Sequence, residues 1–322
     1  MADTIKLGNS NITLKVGDSA VTAAYLGSTL VYTGGTTPHD YSQDYLTFRA
    51  IEDGTFSFSG SSAAISANTL EYSTDSGSTW STLQNSGTTP TVTSGNTILW
   101  KASGLTIGTG GIGRFSSTSN FEVEGNIMSL LYGDNFVNQT DLTGYDNAFA
   151  NLFRSGTTIT SAENLVLPAT TLTQKCYYNM FLGCTSLTTA PELPATTLAE
   201  RCYGTMFNGC TSLTTAPSLP ATTLASQCYS GMFLGCTSLT TAPELPATTL
   251  AERCYYQMFQ NCTSLNSITC LATDISANYC IRYWVMNVAS SGTFTKDANM
   301  TSWTTGADGI PSGWTVQDYP SS

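Results

Sequence analysis

Charge is scarce in this sequence. Only 10% of its 322 residues are Asp, Glu, Lys or Arg, and acids outnumber bases 22 to 11, a formal net charge of −11. Phosphate backbones are bound by clustered Lys and Arg, so no nucleic acid is expected as a partner. Histidine is almost missing, with His39 alone. A nucleophile needs a base, most often histidine, so most hydrolytic and acyl-transfer machinery is excluded. No apolar run approaches the ~20 residues that span a bilayer, and no membrane insertion is expected. The opening residues, MADTIKLGNS, lack the basic-then-apolar order of a secretory signal. With so few charges, solubility falls to Ser, Thr, Asn and Gly.

What is present is a repeat. Cys176, Cys202, Cys228, Cys254 and Cys280 recur every 26 residues, and Cys184, Cys210, Cys236 and Cys262 form a second ladder of the same period. The segment CYGTMFNGCTSLTTAPSLPATTLASQ (202–227) is followed by CYSGMFLGCTSLTTAPELPATTLAER (228–253). A fixed period in the twenties marks a solenoid, each repeat one coil stacked on the next. Nine of the ten cysteines sit in this register. They read as a ladder of reduced core thiols or as disulfides within or between rungs. Zinc spacing is absent: there is no CxxC, and His39 lies far from the ladders.

Within a repeat, Tyr203, Met206 and Phe207 have helical spacing, which predicts a short helix over 199–208. The Thr-rich SLTTAPEL segments read as strands carrying Leu213, Ala216 and Leu219 inward, with Pro191, Pro217 and Pro243 after them. Interior rows follow from the period: Leu187/Leu213/Leu239/Leu265, Met180/Met206/Met232/Met258 and Phe181/Phe207/Phe233/Phe259. Residues 147–172 are a degenerate repeat with two extra residues. Residues 270–294 lose the prolines and carry Trp284 where Met stood. Terminal repeats cap an exposed core and are expected to differ. The tail, with Trp303 and Trp314, reads as the C-terminal cap covering the last rung.

The combination CTSLTTAPELP plus MFNGC resembles the BspA-like leucine-rich repeat family, known from surface proteins of gut and oral bacteria and from their phages. The likeness covers roughly 147–290. It implies an α/β leucine-rich-repeat architecture that binds proteins, glycans or surfaces, with no catalytic residues to carry over. The repeats are longer than the commonest form of that family, and Cys or Met replaces some aliphatic positions.

Upstream, LGNSNI (7–12), VGDSAV (16–21) and LGSTLV (26–31) are three copies of one pattern. Gly8, Gly17 and Gly27 suit tight turns, so residues 1–35 read as a small β-meander. Two or three short strands bury little alone, and the segment is expected to complete its core by oligomerising or docking. It resembles N-terminal parts of virion proteins, of head or tail fibre type, from phages of Bacteroidetes hosts. Residues 36–44 read as a linker. Strand-like runs at 45–51, 55–60, 69–74, 96–102 and 121–125 predict an antiparallel β-sandwich.

Two motifs in this region invite a functional reading. GTGGIG (108–113) fits the dinucleotide fingerprint GxGxxG, but a polar, β-like stretch follows where a helix is required. STDSGSTW (73–80) resembles the Asp-box of sialidases, with Ser73, Asp75, Gly77, Thr79 and Trp80 in place. That box is a hairpin element, and sialidases add several copies, an arginine cluster and a Tyr/Glu pair. A glycan-active enzyme rests on this box alone. Asp141 and Asp146 are a carboxylate pair that nothing singles out over surface acids.

The predicted organisation is therefore a β anchor or oligomerisation segment (1–35), a linker (36–44), a β-sandwich (45–125), an α/β leucine-rich-repeat solenoid of 26-residue repeats (126–290) and a C-terminal cap (291–322). Thr189, Thr215 and Thr241 are expected to point outward where Ala190, Ala216 and Ala242 point in, with Glu192, Ser218 and Glu244 near by. This row is the candidate binding surface for a host-surface protein or glycan, though threonines also serve simply as soluble strand formers. The pairs Glu200–Arg201 and Glu252–Arg253 read as solvated charges. The expected function is that of a phage virion structural protein: a head- or tail-attached fibre or decoration protein, assembled in the host cytoplasm. Residues 1–35 would bind other virion proteins, and a homo-oligomer, such as a trimer, is expected. The alternative is a bacterial cell-surface adhesin of BspA-like type. No enzymatic activity, cofactor or metal is expected.

Overall fold

The computed structural model describes residues 4–7, 10–13, 23–26, 29–33, 39–60, 70–84, 86–102 and 107–320. The chain divides into two compact units, Met1–Asp40 and Tyr41–Ser322. In the first, β1 (Thr4–Leu7) pairs antiparallel with β2 (Ser10–Thr13), and β3 (Ala23–Leu26) with β4 (Thr29–Thr33). The end pairs of the two hairpins are Leu7 with Ser10 and Leu26 with Thr29. These pairs flank the glycines of the first and third LG motifs. The second motif, VGDSAV, lies outside the described residues, as do Gly8, Gly17 and Gly27.

The second unit begins with a seven-stranded sheet. Its strands are β5 (Leu46–Ala50), β7 (Leu70–Ser73), β8 (Ser81–Thr82), β9 (Thr97–Ala102), β11 (Phe121–Asn126), β12 (Ile159–Ser161) and β13 (Leu165–Val166). The order is β12-β11-β5-β9-β7-β8, and β13 also pairs with β11. A separate ribbon joins β6 (Phe56–Ser59) to β10 (Arg114–Ser117). Alternation explains the sheet: Leu46, Phe48 and Ala50 face the core while Arg49 on the other face reaches Glu124 at 2.7 Å. One α-helix is present among the described residues, α1 (Ser129–Tyr132). The Ser129 hydroxyl ties it down, accepting the Leu46 N–H and donating to the Trp100 carbonyl.

This is not a self-contained antiparallel sandwich. β12 and β13, from the first degenerate repeat, pair parallel to β11 and extend the sheet across residue 126. The α/β leucine-rich-repeat solenoid does not form either. The predicted helix over 199–208 is absent, and residues 200–209 are a ribbon of tight turns. The strand segments at 189, 215 and 241 shrink to isolated bridges.

Backbone hydrogen bonding shows why the helix loses. In the first full repeat, the N–H groups of Tyr177, Asn179, Phe181 and Gly183 donate to the next rung, at Cys202, Gly204, Met206 and Asn208, over 2.7–3.1 Å. The intervening amides of Tyr178, Met180, Leu182 and Cys184 close local turns on the carbonyls three residues back. Every fourth residue is left-handed: Lys175, Asn179 and Gly183, then Arg201, Thr205 and Gly209, at φ between 53° and 75°. The backbone thus repeats every four residues, and adjacent pairs such as Cys176–Tyr177 and Met180–Phe181 face inward together. Such spacing mimics a 3.6-residue helix over two turns. A helix this short is marginal in water, whereas the turn ribbon gives half its amides to a neighbouring rung.

Proline sets the other side of the rung. Pro191 and Pro194, Pro217 and Pro220, and Pro243 and Pro246 remove donors from each SLTTAPELP segment, so ladders cannot propagate. The rung that lacks them, SLNSITCLATDIS, carries a full strand, β14 (Ser267–Cys270). It opens a three-stranded parallel sheet with β15 (Thr293–Lys296) and β16 (Thr315–Asp318).

The interior is columnar. Phe149, Tyr177, Tyr203, Tyr229, Tyr255, Trp284 and Trp303 stack successively at 5.6–6.2 Å between ring centroids. A second column runs Phe153, Phe181, Phe207, Phe233 and Phe259 at 5.2–5.7 Å. Phe153 also meets Phe115 and Phe48 of the sheet region, so sheet and stack share one core. Trp314 Nε1–H donates to the Ala289 carbonyl at 2.7 Å, and Trp284 Nε1–H to that of Gly309 at 2.8 Å.

Candidate functional site

The candidate row is assembled by the rung register. Thr189 bridges Ser161 on one side and Thr215 on the other, and Thr241 bridges Ser267. Strand pairing continues the line from Ser267 to Thr293 and Thr315. Backbone pairing thus gives two runs, Ser161–Thr189–Thr215 and Thr241–Ser267–Thr293–Thr315, and the repeat period aligns Thr215 with Thr241 to make a row of seven hydroxyl residues. Ser267 and Thr293 keep the 26-residue period, whereas Ser161, 28 residues before Thr189, and Thr315, 22 after Thr293, sit in terminal rungs of other lengths and are invisible to it. Neighbouring rungs that pair as strands lie ~4.8 Å apart.

Thr215 and Thr241 are exposed, while Ala242 is buried and Ala190 and Ala216 are half-buried against the core. Thr189 is half-buried, and its hydroxyl shares a 2.6 Å hydrogen bond with that of Ser161, one donating and the other accepting. Glu192, Ser218 and Glu244 are exposed beside the row. Glu244 Oε2 accepts the Tyr319 hydroxyl at 3.2 Å, which ties this end of the surface to the C-terminal segment. Three further bridges, Asp141–Thr171, Thr197–Thr223 and Thr249–Asp274, involve the threonines of the repeated ATTL motif, which the period sets in a second row. Both lines offer hydroxyls that can donate and accept, which is what a polyhydroxylated ligand requires.

The thiols are sealed. All ten cysteines are free and buried. Cys184, Cys210, Cys236 and Cys262 donate Sγ–H to the carbonyls of Phe153, Phe181, Phe207 and Phe233 at 3.0–3.2 Å. Burial pushes the thiols of Cys184, Cys202, Cys262 and Cys270 up to about 12. A neutral thiol is neither nucleophile nor metal ligand. No group of three or more His, Cys, Asp or Glu side chains is placed to hold a metal among the described residues.

STDSGSTW forms the local structure its residues imply. Asp75 accepts the Thr79 hydroxyl at 2.6 Å, the Thr79 N–H at 2.9 Å and the Ser73 hydroxyl at 2.7 Å. These bonds hold its carboxyl down at about 2, the Thr79 hydroxyl contributing most. Gly77 takes φ +85°, a turn position that suits glycine. Trp80 packs edge-on to Tyr45 at 4.9 Å, under the Lys101 ammonium 4.2 Å from its ring centroid. Lys101 and the Tyr45 hydroxyl both bond Asp134 Oδ1 at 2.8 Å. The box is a braced hairpin whose polar groups are consumed internally.

In GTGGIG, Gly108 bridges Gly111 and the chain enters β10 with no helix to face a phosphate. Gly111 needs its lack of a side chain, since a Cβ would lie 2.3 Å from the Ala150 carbonyl oxygen. Asp141 Oδ1 accepts the Thr143 N–H at 2.7 Å in a local turn; the Thr143 hydroxyl first and this N–H second lower its carboxyl, while Asp146 is exposed. His39 is exposed. Arg201 lies 3.8 Å from Glu200 and bonds Gln227 of the next rung at 3.0 Å, and Arg253 lies 4.0 Å from Glu252.

No protein-family model matches the chain, and no curated protein or solved structure is similar to it.

Proposed function

We propose that this protein is an adhesive structural component of a phage virion, a head- or tail-attached fibre or decoration protein. Residues 1–35 join it to other virion proteins, and the repeat stack displays its hydroxyl lines to a protein or glycan on the host surface. The observation that carries this reading is the row of hydroxyl residues from Ser161 to Thr315, set by two paired runs and by the repeat period between Thr215 and Thr241. It repeats polar groups, exposed at Thr215 and Thr241, on a rung system whose interior is apolar side chains, stacked rings and sealed thiols. Ten free thiols also suit a chain that folds in a reducing cytosol, as virion proteins do. The virion attribution itself is supported by the likeness of residues 1–35 to phage fibre proteins. Self-association, for example as a trimer, would give that small segment a core.

The test is binding of the labelled full-length protein to cells of a Bacteroidetes strain that the phage infects. Saturable binding is expected. The double variant Thr215→Glu/Thr241→Glu should lose it at least tenfold without a change in unfolding midpoint, because two carboxylates replace hydroxyl donors. Equal binding by the variant refutes the row as the contact surface.

A further inference from the structure

Where the repeats end, the turn ribbon stops carrying small polar residues. The positions held by Asn179, Thr205 and Gly231 in earlier rungs pass to Tyr283, and those of Lys175, Arg201 and Gln227 to Tyr279. Tyr279 is 42% exposed. The Arg282 guanidinium lies between two rings, 4.8 Å from the centroids of both Tyr279 and Tyr283. Arg253, one rung back, lies 5.3 Å from the Tyr279 ring. A cavity of about 410 Å³ opens here, with Ile275, Ala277 and Ile281 among its lining and Arg282 and Asp308 at its polar side.

The polar groups are only partly used. Arg282 has no carboxylate partner among the described residues, and of its five N–H groups one donates, through Nη2, to the Tyr283 hydroxyl at 3.1 Å. Asp308 Oδ1 accepts the Tyr283 N–H at 2.6 Å, leaving Oδ2 available. What sets Arg282 apart is that its guanidinium lies against two tyrosine rings, one of them exposed. Stacking pre-orients the planar fork, so it can take a carboxylate through two parallel hydrogen bonds.

The geometry points to a binding site for a carboxylated sugar, of uronic or sialic acid type. Arg282 takes the carboxylate, Tyr279 supports the apolar face of the ring, and Asp308 accepts a hydroxyl. The volume falls in the range of small-molecule sites. A bare inorganic anion would use Arg282 but not the tyrosine platform or the apolar lining. The inference deepens the adhesive reading and rests on it for the claim that the sugar belongs to a host surface.

The experiment is saturation-transfer NMR and calorimetry on the full-length protein with methyl glucuronide and sialyllactose. Methyl glucoside and lactose serve as neutral controls, and sodium sulfate as competitor. Saturable binding of at least one acid is expected, with transfer to its C–H protons and at least tenfold weaker binding of the matching neutral sugar. Arg282→Gln should weaken binding at least tenfold. Arg282→Lys should also weaken it, because the charge remains but the fork is lost, and Tyr279→Ala should reduce transfer to the ring protons. All three should unfold at the wild-type midpoint. Failure of both acids to bind, binding unchanged in Arg282→Gln, or full displacement by equimolar sulfate overturns the site. If the acids bind but host cells do not, the adhesive reading fails while the site stands. If cells bind Arg282→Gln as tightly as wild type, adhesion stands and this site is not its basis.

Discussion

Phe207 shows how a single residue is held in this molecule. It is fully buried and lies 5.7 Å from the rings above and below it. Truncation leaves a void that two flanking rungs cannot fill, since their own rings are fixed by the next in line. Phe207→Ala should cost about 3–5 kcal/mol, read by denaturant unfolding. The thiols make a second residue-scale prediction. With folded-state values near 12 against an ordinary 9.0, the cysteines stay protonated where the unfolded chain ionises. Their contribution to stability is complete below pH 9 and lost as pH rises from 9 towards 12. A thiol reagent should label none of the ten in the native protein at pH 8 and all ten in denaturant; rapid native labelling would contradict the sealed core. The sequence showed that these cysteines share a register but not their oxidation state, because reduced and bridged ladders have the same spacing.

The elements are where the sequence misleads. The period-four pairs Tyr203 and Met206–Phe207 fit a helix as well as a turn ribbon, and nothing local separates the two. The signal lies in the left-handed positions. Gly183, Gly209 and Gly235 recur at φ +75°, with Asn261 and Asn287 at the equivalent places in later rungs. Glycine and asparagine are the residues that tolerate this conformation. Gly209→Ala should therefore destabilise by about 1–2 kcal/mol, since the new Cβ meets only ordinary contact with Gly183 and the cost is the backbone conformation itself. Gly209→Asn should cost less. Because Gly209 lies just past the predicted helix, where a C-terminal glycine would also be left-handed, the discriminating position is Thr205 at φ +53°, whose equivalent in the next rung is Gly231. Thr205→Gly should be tolerated here and would destabilise a true helix, read by thermal unfolding. Proline misleads in the other direction: the Thr-rich segments have strand composition, yet two prolines per rung restrict them to single bridges.

At the scale of the whole molecule, the expected boundary between sandwich and repeats is bridged by the pairing of β11 with β12 and β13 and by the contacts of Phe153 with Phe48 and Phe115. Repeat arrays can lose cooperativity along their length, but a shared core couples the ends. Hydrogen exchange should report the same opening free energy for amides of β5 and of the 229–236 ribbon. A markedly earlier opening of either would show that they fold separately. Much of the candidate surface was legible, since the period alone aligns Thr189, Thr215 and Thr241. Ser267 and Thr293 continue the same period, but the extension to Ser161 and Thr315 was not legible, because those end rungs have different lengths and only backbone pairing reveals their register. The Arg282 site was equally hidden, its tyrosines reading as ordinary terminal-repeat variation.

The virion reading is tested most directly by cryo-electron microscopy of purified phage particles whose genome encodes this chain, combined with mass spectrometry of the same particles. The account predicts peptides of this protein in the particle, density for residues 1–35 within the head or tail lattice, and the repeat stack exposed on the outside. Particles without this chain, together with its recovery from the bacterial envelope, would contradict it and make the protein a cell-surface adhesin.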